Sequence, residues 1–83
     1  MNEVVIIGEI ISEIKYQFML SKRHTAIAKF QFELKNNSII EVKCYDERAD
    51  KCLQKLKKGD VLIIEGNLNS NGKIIIEEYW MWK

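Results

Sequence analysis

Once along this chain, between Asp46 and Gly59, the hydrophobic period changes from about two to about 3.6 and then returns. Segments of period two want a sheet with a buried face, and a lone helical segment among them must cover part of that sheet. With 83 residues there is room for one small core, so a single domain over 1–83 is expected.

The first β-type run, EVVIIGEII from Glu3 to Ile11, is rich in β-branched residues and carries Gly8 in its middle. It predicts a strand that bends or bulges at Gly8 and continues toward Tyr16. After a polar stretch from Gln17 to His24, Ala28, Phe30, Phe32 and Leu34 share one side of a second strand, alternating with Lys29, Gln31 and Glu33. Lys35-Asn36-Asn37-Ser38 supplies a hairpin turn, since asparagine tolerates left-handed backbone. The return strand, Ile39 to Tyr45, turns Ile40, Val42 and Cys44 inward and Ile39, Glu41, Lys43 and Tyr45 outward.

Asp46 is placed to cap a helix whose apolar positions are Ala49, Cys52, Leu53 and Leu56, ending in Lys57, Lys58 and Gly59. The basic last turn suits the helix dipole. Two further strands follow, Val61 to Leu68 and Lys73 to about Trp82, joined by the turn Asn69-Ser70-Asn71-Gly72. Three strands, a helix and two strands predict an all-β fold with one helix: a five-stranded OB-fold Greek-key barrel, the helix between strands three and four. Pattern alone also admits an SH3-like barrel or a helix packed on a sheet.

Several function classes find no support. The longest apolar runs are Val4 to Ile7 and Val61 to Ile64, far short of the roughly 20 residues of a membrane helix. The Met-Asn-Glu start lacks a basic signal-peptide region, so a cytoplasmic location and no membrane partner are expected. Cys44, Cys52 and the single His24 are too few to close a zinc site, and both cysteines read as buried thiols in a reducing compartment. No metal or cofactor is expected. There is no Ser-His-Asp or Cys-His spacing and no phosphate-binding glycine loop, and Glu77 and Glu78, adjacent on a strand, face opposite ways. The chain is therefore not expected to be an enzyme.

Four stretches carry a family resemblance. KKGDVLIIEGNL, from Lys57 to Leu68, resembles the bacterial single-stranded-DNA-binding protein family, where a helix ending LRKG leads into an I-E-G-R-L strand. Ile64-Glu65-Gly66 and Leu68 match, with Asn67 in place of the arginine. Val4 to Ile10 (VVIIGEI) is similar to the family's V-x-L-V-G-N-L strand, Thr25 to Phe30 (TAIAKF) to its T-A-V-A-N-F strand, and Ile14-Lys15-Tyr16 to its V-R-Y. The resemblance implies an OB-fold that binds single-stranded DNA as an accessory of replication, recombination or repair. It also implies a minimal version. The turns at Lys35–Ser38 and Asn69–Gly72 stand where the family has long loops, and the chain stops at Trp80-Met81-Trp82-Lys83 without an acidic tail.

Binding a single strand without sequence readout needs cations near the phosphates and aromatic faces for the bases. The formal net charge is only +1, so any basic surface must be local. Tyr45 shares the outward side of its strand with Lys43, and the resemblance places it where the family has a base-stacking phenylalanine. Glu41, on the same side, stands where the family is basic, and its carboxylate opposes phosphate. Lys22 and Arg23 form the only consecutive Lys-Arg pair, in a loop that OB-folds use as a groove wall. Lys29, Lys73 and Lys15 extend a cationic track if the barrel gathers them. Trp80 and Trp82 share one side of the last strand and either stack bases or seal a homodimer or homotetramer. The expected partners are single-stranded DNA, with RNA open, and further copies of the chain. The alternative is an interaction or oligomerisation module that touches no nucleic acid.

Overall fold

The computed structural model describes residues 3–19 and 24–82. Its elements are β1 (Glu3–Ile10), β2 (Lys15–Phe18), β3 (Ala26–Leu34), β4 (Ile39–Tyr45), α1 (Glu47–Lys55), β5 (Val61–Leu68) and β6 (Ile74–Met81). β1 pairs with β5, and through Gly8–Ile10 it also pairs with the far half of β3, while β2 pairs with the near half. β1 and β2 are thus two lengths of one broken strand. The sheet runs β1-β5-β6-β4-β3 and closes through the β1–β3 contact, giving a five-stranded barrel with one helix between β4 and β5. The β4–β6 contact is parallel, with Lys43 opposite Ile75.

β1 keeps its register with β5 straight through Gly8, so there is no bulge at that residue. The break lies at 11–14, where Ser12 Oγ accepts a hydrogen bond from the Gln31 amide at 2.9 Å and satisfies a donor left without a strand partner. Gly8 serves close approach instead. A Cβ there would collide with the Glu33 carbonyl oxygen, at the point where β1 meets both neighbours. Gly66 does the same at the bulge between Glu65 and Gly66, where a Cβ would strike the Ile75 carbonyl.

The alternation read from the sequence fills the barrel. Ile10, Phe30, Phe32, Val42, Leu62, Ile64 and Ile74 are buried, and burying each such side chain contributes roughly 1.5–3 kcal/mol. Ala26 and Ala28 keep β3 thin where α1 packs on β3 and β4 through Ala49, Cys52 and Leu56. Leu53 lies off that contact and is exposed, contrary to its expected place on the buried face. Cys44 and Cys52 are free, buried thiols with their Sγ atoms 2.7 Å apart, joining β4 to α1. The Cys52 contact and then burial push the Cys44 thiol far above its ordinary range, so it is inert as a nucleophile.

Asp46 stands at the N-cap of α1 but makes no side-chain cap bond. With φ at 57° it turns its carboxylate away from the helix, toward the strand entering the hairpin. The turn at 35–38 uses asparagine as expected: Asn37 has φ 68°, and Asn36 Oδ1 accepts from the Ser38 amide.

Candidate nucleic-acid interface

The hairpin of β3 and β4 decides which outward side chains meet. Its register sets Lys29 opposite Lys43 and Ile27 opposite Tyr45, and the β2 register sets Lys15 opposite Lys29. Three lysines therefore lie in one row across β2, β3 and β4. Neighbouring strands are spaced about 4.8 Å apart, so the row spans roughly 10 Å. Like charges directly opposite on a sheet destabilise it, which makes the row a ready seat for an anion.

One step along the strands, Gln31 faces Glu41. Lys73 Nζ lies 2.7 Å from Glu41 Oε1. Lys73 first, then Lys29 and Lys43, hold the Glu41 carboxyl below the usual carboxylate range. Glu41 thus absorbs part of the positive field, and Lys73 joins the track already committed to a carboxylate.

One step the other way is Tyr45. The His24 ring stacks on it, with centroids 4.2 Å apart and planes 24° from parallel. His24 Nδ1 lies 2.8 Å from Asp46 Oδ2, while Asp46 Oδ1 accepts from the Thr25 amide at 2.7 Å and from the Ala26 amide at 3.3 Å. His24, followed by the amides of Thr25 and Ala26, lowers the Asp46 carboxyl to about 2. Beside the pair opens a cleft of about 480 Å³ lined by Tyr45, Glu47, Arg48, Ile75 and Glu77. Arg48 Nε donates to the Glu77 carbonyl oxygen at 3.0 Å.

The barrel thus gathers Lys15, Lys29, Lys43 and Tyr45 on one face, with Lys73 at its margin. Trp80 and Trp82 stand elsewhere. It is Ile75 that β6 sets beside Lys43, while Trp80 faces Ile63, which faces Ile7, on the outer side of β1, β5 and β6. Lys22 and Arg23 lie outside the described residues. Phe18 stays out of the barrel end and is 78% exposed. Sequence reasoning missed the carboxylate partner of His24. Its only signal was position, since His24 closes the polar loop at the entry to β3 and Asp46 follows the last residue of β4.

The single-strand binding protein family matches the chain over residues 1–74. The chain belongs to that family. No curated protein matches it in sequence. Among solved structures, the SSB domain of a Synechococcus protein superposes with a TM-score of 0.82 at 10% identity, covering 95% of this chain and 93% of that one. A mitochondrial single-stranded DNA binding protein of S. cerevisiae gives 0.83 at 14% identity, covering 99% and 94%. The single-stranded DNA binding protein of Thermus aquaticus gives 0.82 at 20% identity, covering all of this chain and 41% of that one. These likenesses establish the OB-fold expected from the element order. Among the described residues no helix is long and apolar enough to cross a membrane.

Proposed function

We propose that this chain binds single-stranded DNA without sequence readout, as a non-enzymatic accessory of DNA replication, recombination or repair. The observation that carries the reading is the row Lys15–Lys29–Lys43, with no carboxylate inside it, on the outer face of a family OB-barrel. The row neutralises phosphates, and the aromatic pair at Tyr45 lies one step along the same face to receive a base. Lys73 adds charge when it leaves Glu41. The two buried free thiols accord with a reducing compartment, the cytoplasm.

Titration of a fluorescent oligo-dT strand at low and moderate salt, followed by anisotropy, tests the proposal. Three phosphate contacts predict that log K falls with log salt at a slope of about −2. No binding at low salt would refute it and leave the interaction module. Equal affinity for oligo-rU would widen the ligand to RNA, which presents the same phosphates and base faces.

The outer side of β1, β5 and β6 suits a second copy of the chain. Val5, Trp80 and Trp82 are 67%, 49% and 48% exposed there, and aromatic side chains concentrate at interface cores. Beyond the β1–β3 contact at Gly8–Ile10, β1 has no second strand along Glu3–Ile7 among the described residues. An open edge of that kind pairs readily with another chain.

A further inference from the structure

We infer that the base-stacking surface of this interface is the ring of His24 lying over Tyr45, and not the face of Tyr45 itself. The inference rests on the strand-binding reading above and names the residue that meets the base. At a centroid separation of 4.2 Å and an angle of 24°, the imidazole covers one face of the phenol ring and leaves no room between them for a base.

His24 offers the better platform. Its side chain is 37% exposed, and among its contacts the ring beneath and Asp46 Oδ2 both hold it. Asp46 is in turn fixed by the amides of Thr25 and Ala26. The ring is therefore oriented before a strand arrives, and little ordering is needed on binding. Histidine is among the side chains on which unstacked bases settle. Tyr45 acts as the positioning residue that keeps the imidazole flat, next to Lys43 on the same side of β4.

Two substitutions separate stacking from tethering. His24→Gln keeps an amide able to reach Asp46 and removes the ring, whereas His24→Phe keeps a ring and removes the tether. Binding is measured by anisotropy with oligo-dT and with an abasic strand of equal length, after thermal melting has shown both variants folded. His24→Gln is expected to weaken oligo-dT about tenfold and leave the abasic strand unchanged, and His24→Phe to stay within about twofold of wild type. Wild-type affinity in His24→Gln would overturn the inference while strand binding stands. Equal losses in both variants would also overturn it, since the tether and not the ring would then matter. Wild-type protein that binds no oligo-dT at low salt would overturn the strand-binding reading and this one with it.

Discussion

Lys29 and Lys43 face each other across the β3–β4 hairpin, and Lys15 faces Lys29 from the other side. Fold stability alone does not favour that arrangement, because an opposite pair of like charges costs a sheet a few tenths of a kcal/mol up to about 1. A polyanion reverses the sign. The repulsion in the free protein becomes attraction shared among three ammonium groups, and the cost of assembling them has already been met by folding.

Stability and binding should therefore move in opposite directions at this row. Lys43→Gln is expected to leave the melting temperature unchanged or raise it slightly, while weakening oligo-dT and reducing the salt slope by about 0.7. Lys29→Gln should behave alike. Thermal melts and anisotropy at several salt concentrations check both, and a variant that loses stability without losing affinity would count against the row as the phosphate seat.

Glu41 is the opposing charge on the same face. Its carboxylate pairs with Lys73 at 2.7 Å and lies within the field of Lys29 and Lys43. Glu41→Gln removes that competitor and frees Lys73, so affinity for oligo-dT should rise, by up to about fivefold for a part-exposed ion pair. The double variant Glu41→Gln, Lys73→Gln should lose most of the gain. An unchanged affinity in the single variant would mean that phosphate passes clear of Glu41.

Much of this face was legible in the sequence because a hairpin is a symmetric object. Lys29 and Lys43 lie equally far from Asn36, so a turn centred there brings them opposite, and period two puts both outward with Tyr45. The helix was legible from Ala49, Cys52 and Leu56 for the same kind of reason. Leu53 was not, since its burial depends on how broadly α1 lies on the barrel. Gly8 makes no bulge and the strand breaks at 11–14 instead, because a glycine in a strand serves close approach as readily as bulging, and sequence does not say which. Nor does local pattern reveal that Asp46 turns back to His24, Thr25 and Ala26 rather than capping α1. That choice is made by β3 lying beside the helix start, a contact between residues far apart in the chain.

The tryptophans make a separate prediction. Trp80, Ile63 and Ile7 form one cross-strand row on the outer side of the barrel, away from the lysines. Trp80→Glu places a charge at the end of that apolar row and should shift the assembly to monomers in sedimentation equilibrium. Short oligo-dT should bind each protomer with little change, because the lysine row is untouched. Wild-type protein that sediments as a monomer would dismiss the face as a homotypic interface, and quenching of both tryptophans by oligo-dT would reassign it to the strand.

Asp46 links the aromatic pair to pH. Its carboxyl is lowered from the ordinary 3.8 to about 2, first by His24 and then by the amide of Thr25. A carboxyl depressed on folding contributes stability that is fully present above its unfolded pKa and disappears as pH falls through its folded value. Asp46→Asn should therefore melt below wild type at pH 7, and the gap should begin to close near pH 4 and vanish as pH falls through about 2. Asparagine is the informative replacement, since it keeps the side chain's shape and an oxygen to accept from the Thr25 amide while removing the charge. Thermal melts of both proteins between pH 2 and 7 make the comparison. A gap constant across that range would show that the Asp46 carboxylate does not hold the His24 loop to the start of the helix.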